Sequence, residues 1–161
     1  MFMIYSSPAG AATLPIAAVA VLALAAAPVA APLRPDPKLT PGAVDAGAGV
    51  ATICARGYAG RARHVDAAEK ARVFAEYGVD RRRQHFEVDH LISLELGGSN
   101  ALGNLWPQSY DTRPLNARVK DALEDRLHAL VCAGRVPLAV AQAAIARDWV
   151  GAYARWVGAP P

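Results

Sequence analysis

The sequence predicts an α+β fold, on three observations. Residues 66–78 (DAAEKARVFAEYG) open on a capping-box pair, Asp66 and Glu69, and close on a glycine, as helices do. Residues 84–92 (QHFEVDHLI) are strand-like, and Asn104-Leu105-Trp106-Pro107 is a second short strand beyond a Gly-Gly-Ser-Asn turn. From Pro114 onward, apolar residues recur every three or four positions through two long stretches. The expected order is helix, strand, strand, helix, helix, with a hairpin leading directly into a helix.

The elements follow in chain order. Residues 1–33 hold no charged side chain, and Leu14 to Ala31 is an apolar run broken by Pro15 and Pro28. Such a run followed by small residues fits a signal peptide. An N-terminal membrane anchor is the alternative, because the run approaches the ~20 residues that span a bilayer. The signal-peptide reading implies a secreted or periplasmic protein with no stable membrane association after cleavage. Residues 34–50 are rich in Pro, Gly and Ala without apolar periodicity, which reads as a linker. Residues 51–158 remain for one domain, as the length allows.

Within that domain, Asp66 starts the first helix and Gly78 ends it. The first strand follows, and Pro107 is expected to end the second. The next helix is placed near Pro114, with Val119, Leu123, Leu127, Leu130 and Val131 as its apolar stripe and Gly134 as its stop. The last runs from about Pro137 to Val157 and turns Leu138, Ala141, Ile145, Trp149, Ala152 and Trp156 inward. No internal repeats occur.

The formal net charge of +3 and pI near 9.1 suit a polyanionic partner, with Arg61, Arg63 and Arg81 to Arg83 as candidate phosphate contacts. Cys54 and Cys132 are the two cysteines. In an exported protein an even pair suggests a disulfide; two buried thiols are the alternative.

The chemistry-bearing stretch is Phe86 to Pro107, FEVDHLISLELGGSNALGNLWP. Phosphodiester hydrolysis needs a base for water, a stabiliser of charge on the phosphorus oxygens and an acceptor for the leaving alkoxide. A neutral histidine serves the first need near physiological pH, and one hard cation serves the other two. His90 offers the base, Asp89 a hard oxygen ligand and Asn116 an amide oxygen at a helix start. Glu87, two before Asp89, shares its strand face and is a further ligand candidate. Asn116, Lys120, Glu124 and His128 recur every four residues. Along a continuous helix Glu124 lies roughly 12 Å from Asn116, too far to share its ion. Few oxygen ligands and retained waters favour one divalent Mg²⁺ or Mn²⁺, with Zn²⁺ or Ni²⁺ as the other candidates.

The set Asp-His, Gly-Gly, Asn-Leu, then Asn and Lys at a helix start resembles the HNH endonuclease family over about Phe86 to Lys120, in its exported bacterial form. The resemblance implies a ββα-metal hairpin-helix centre flanked by N-terminal and C-terminal helices. It implies His90 as general base, Asp89 and Asn116 as metal ligands, and Asn104 as brace of the loop. Lys120 and Arg118 become phosphate-binding candidates. The zinc-binding cysteine pairs of many members are absent, which leaves the Cys54–Cys132 pair and the extra helices to hold the fold. The expected activity is metal-dependent endonucleolytic cleavage of nucleic acid, with DNA favoured. The alternative is a non-catalytic basic nucleic-acid-binding or cell-envelope protein that keeps the fold.

Overall fold

Two antiparallel strands, β1 (Phe86–His90) and β2 (Leu105–Ser109), form the sheet in the computed structural model, which describes Met3 and residues 32–159. Their register pairs Glu87 with Gln108, Val88 with Pro107, Asp89 with Trp106 and His90 with Leu105. The second strand runs on through Pro107 instead of ending there. A two-stranded sheet is all edge, so a residue without an N–H can sit in it.

The helices are α1 (Val50–Ile53), α2 (Tyr58–Ala62), α3 (Ala67–Glu76), α4 (Ala117–Cys132) and α5 (Leu138–Trp156). The architecture is therefore mixed α and β, with two short helices added before the expected series. α3 carries the full capping box, with Asp66 and Glu69 exchanging side chain-to-backbone bonds, and Gly78 follows it at φ 62°. Pro114 follows a cis peptide bond and stands before α4, outside its first turn. Asn116 is the N-cap instead, its Oδ1 accepting from the Val119 N–H at 3.2 Å. α5 leaves helical geometry at Asp148 (φ −160°, ψ 86°), whose carboxylate accepts from the backbone of Gly151 and Val150 and so caps a restarted helix.

The core forms between the faces the periodicity marks. Leu123 and Leu127 of α4 meet Ala141, Ile145 and Trp149 of α5, with Ile53, Ile92 and Leu96 closing the far side. Leu138 and Trp156 reach only its margin. A smaller cluster of Val73, Val88 and Leu105 seats α3 on the opposite face of the hairpin. A disulfide joins Cys54 to Cys132 across a sequence separation of 78 residues.

The segment expected as a linker is laid against this core. Thr40 is buried and bonds the Leu105 carbonyl, Gly42 donates to the Gly103 carbonyl, and Val44 bridges Gly98. Its prolines and glycines preclude periodic structure but not docking by isolated backbone bonds. The segment expected as export signal or anchor lies, but for Met3 and residues 32 and 33, outside the described residues. Among the described residues no helix is long and apolar enough to cross a membrane.

Candidate active site

The loop between the strands is built around one side chain. Asn104, wholly buried, accepts from the N–H groups of Ile92 and Ala43 and donates to the carbonyls of Ile92 and Ser99. A buried amide with four backbone partners fixes both ends of the loop at once. Gly98 is required beside it, because a Cβ there would lie 1.8 Å from the Ile92 carbonyl oxygen. The loop thereby holds Asn100 under the end of β1.

His90 is 2% exposed, and its Nε2 lies 3.0 Å from Asn100 Oδ1. The orientation of the Asn100 amide is set by two backbone groups of fixed polarity. Its Nδ2 donates to the Ala62 carbonyl at 2.8 Å, and its Oδ1 accepts from the His64 N–H at 3.2 Å. Oδ1 can only accept, so the proton between the two side chains belongs to His90 Nε2. The lone pair is then on Nδ1, a buried atom without a hydrogen-bond partner among the described residues. Burial lowers the His90 pKa below the ordinary histidine value, the Arg63 and Lys120 charges lower it further, and Asn100 and Asp89 only partly offset this. The ring is a neutral base with a defined tautomer.

Asp89 faces the other way, toward α4. Its Oδ2 accepts from Trp106 Nε1 at 3.1 Å and pairs with Lys120 Nζ at 2.7 Å. Lys120 has no exposed surface; it also donates to the His90 carbonyl at 2.8 Å and ion-pairs closely with Glu124. Burial alone would lower the lysine pKa, but Asp89 and Glu124 outweigh it and hold the ammonium above its usual value. Burial pushes the Glu124 carboxyl up, and the Lys120 ammonium beside it partly offsets this. Glu87 lies on the same strand face. Its Oε2 accepts from the Tyr110 hydroxyl at 2.7 Å, while its Oε1 is buried and has no partner among the described residues. Burial raises the Glu87 pKa, and the Asp89 and Asp121 charges raise it further; Asp121 is itself raised by desolvation and by Asp89. The crowd of Glu87, Asp89, Asp121 and Glu124 around one ammonium is short of positive charge. Its orphaned oxygen and hard donors suit a divalent cation.

The structure thus brings Asp89, Lys120 and Glu124 together on the α4 side of the hairpin, with Glu87 beside them, whereas the His90 ring lies on the other face and joins the group only through its backbone carbonyl. Asn116 is not joined to Asp89 or His90 by a hydrogen bond. It lines a hollow of about 530 Å³ with Tyr110, Arg113 and Arg118, whose guanidinium lies 5.4 Å from the Tyr110 ring centroid. The α4 contribution is centred one turn further along, at Lys120 and Glu124. Lys120 meets carboxylates in the interior rather than reaching outward to a phosphate. Arg82 and Arg83 pair with Asp80, whereas Arg63 makes no ion pair among the described residues. An open groove of about 620 Å³ beside Asn100 is edged by Arg61 and His64.

Sequence reasoning missed Asn100, Trp106 as the donor to Asp89 and the Lys120–Glu124 pair. The four-residue spacing of Lys120 and Glu124 was visible. Burial of both charges was not. Away from this site, a His128 ring nitrogen and the sulfurs of Cys54 and Cys132 lie within 4.8 Å of one another, the sulfurs being joined in the disulfide. Compared with known proteins, the chain matches no family model, no curated protein and no solved structure.

Proposed function

We propose that the chain is a metal-dependent endonuclease of the HNH type, cutting phosphodiester bonds in nucleic acid, with DNA the favoured substrate, and that β1, β2 and α4 form its ββα-metal centre. One observation carries the reading: Asn100, locked by two backbone groups, leaves a buried neutral histidine with its Nδ1 lone pair unspent, one residue along the strand from the carboxylate that faces α4. An ordinary buried histidine has both nitrogens satisfied. Perturbed, unsatisfied titratable groups of this kind concentrate at sites that do chemistry.

His90 Nδ1 takes the proton of the attacking water. Asn100 holds the ring so that the lone pair and not the N–H is presented. Because Nδ1 is shielded, that water is admitted together with the substrate. Trp106 fixes the orientation of Asp89, and Asp89 with Glu87 would hold one divalent cation, Mg²⁺ or Mn²⁺. Such an ion, when bound, supplies charge stabilisation on the phosphorus oxygens and on the leaving oxygen. Arg63 and Arg61 give the strand a cationic border on the His90 side. Export, by the uncharged apolar start of the chain, belongs to the same proposal.

One observation favours a second reading, a basic module that binds nucleic acid without cutting it: the Lys120 ammonium already engages Asp89 and Glu124. Plasmid DNA incubated with the full chain and Mn²⁺ or Mg²⁺ separates the two. Nuclease action predicts nicking that is lost in His90→Ala and on chelation. Nicking that survives both, or metal-independent binding without nicking, would overturn the proposal.

A further inference from the structure

The hairpin face that looks onto α4 holds five polar or aromatic side chains in two rows. Glu87 and Asp89 stand on β1; Trp106, Gln108 and, just beyond the strand, Tyr110 stand on β2, each two residues from the next. Directly opposed residues of an antiparallel pair project from one face, with Cβ atoms about 4.5–5.5 Å apart. The outer two of the second row are committed: Trp106 donates to Asp89 and Tyr110 donates to Glu87. Gln108 sits between them, opposite Glu87, and is 2% exposed. Among the described residues neither its Oε1 nor its Nε2 has a partner, and the Glu87 Oε1 has none either.

A wholly buried amide with both ends idle is a defect in a domain that needs only stability. Leucine or methionine would fill the same place without that penalty. Here the residue with the idle amide pairs across the strands with the residue that has an idle carboxylate oxygen, in a cluster where acids outnumber the one ammonium. We infer that Gln108 is a ligand residue for the divalent cation, its Oε1 completing with Glu87 and Asp89 an oxygen set spread across both strands of the hairpin. The inference rests on the metal-dependent reading given above and adds a ligand from β2. A neutral amide oxygen adds a donor without adding to the crowding of negative charge, which suits a hard cation.

The test measures Mn²⁺ binding directly, by titration of the full chain followed by the loss of the free-ion paramagnetic resonance signal and by the metal-induced rise in melting temperature. The native chain binds. Gln108→Leu melts at or above the native temperature without metal, because the idle amide is gone, yet binds Mn²⁺ at least about tenfold more weakly. Gln108→Glu, which keeps an oxygen at the same place, restores binding. A folded Gln108→Leu chain with native Mn²⁺ affinity overturns the inference. So does a native chain that binds no Mn²⁺. Were Gln108→Leu not to fold, Gln108→Glu decides: retained or tighter binding supports the ligand role, and lost binding ends it. DNA nicking dependent on His90 is scored separately, so the reaction and this ligand assignment fail on different readouts.

Discussion

His90 enters the folded chain as a neutral ring, and that has a measurable consequence for the metal-free protein. Its folded pKa lies below the unfolded value of about 6.5, so acidification makes unfolding take up a proton that the native state refuses. Stability contributed by this residue is present above about pH 6.5 and is lost as pH falls from there toward the depressed value. Urea denaturation at a series of pH values with chelator is expected to show a decline on acidification that is smaller in His90→Gln. Lys120 presents the opposite case, a buried charge held by two acids. Lys120→Met removes the ammonium and strands Asp89 and Glu124, an expected destabilisation of about 3–5 kcal/mol in denaturant titration. A loss below about 1 kcal/mol would place this contact with solvent-screened surface pairs.

At the scale of elements, the hairpin and α4 are positioned by caps and turns more than by strand length. The Asn116 Oδ1 is occupied by the Val119 N–H, so Asn116→Ala is expected to destabilise the chain by about 1 kcal/mol through loss of the helix cap. Mn²⁺ affinity should stay at the native value if capping is its whole role. A fall in affinity in the same variant would return Asn116 to the ligand set expected from sequence. On the proposed reading, the strand face would supply the ligands without it. Glu87, Asp89 and Gln108 are placed by pairing register, which is rigid over five residues, whereas Asn116 lies one turn above the point where α4 meets Asp89.

For the whole molecule, the disulfide ties the α1 turn to the end of α4 and so clamps the N-terminal half onto the helical pair. Replacing both cysteines by serine is expected to lower stability by up to about 4–5 kcal/mol on the chain-entropy account of a loop this long. Chemical denaturation with and without reductant measures it. Charge at this scale is uneven. The His90 side carries Arg61, Arg63 and His64 on exposed positions, while the α4 side carries the carboxylates. Nucleic acid is expected to approach from the cationic side. Arg63→Ala should weaken DNA binding across sequences and reduce the slope of log affinity against log salt by about 1. An unchanged slope would show that the phosphates lie elsewhere.

Much of this molecule was legible in one dimension because local rules fix local things. The capping box at Asp66 and Glu69, the α4 stripe through Leu123 and Leu127, and the Gly-Gly turn act over a few residues, where dihedral preferences and hydrogen-bond reach decide the outcome. Asp89, His90 and Asn104 stood out because such polar types are rarely placed among so many apolar neighbours without a use. The docking of residues 34–50, the passage of β2 through Pro107, the seating of Asn100 against His90 and the idle amide of Gln108 were not legible. Each depends on what lies across the fold, and the desolvation that makes an unpaired nitrogen or a paired ammonium matter exists only once the chain has closed around it. The sequence by itself determined the elements and the candidate chemistry; tertiary structure decided which atoms are left without partners, because burial is a property of the packed whole.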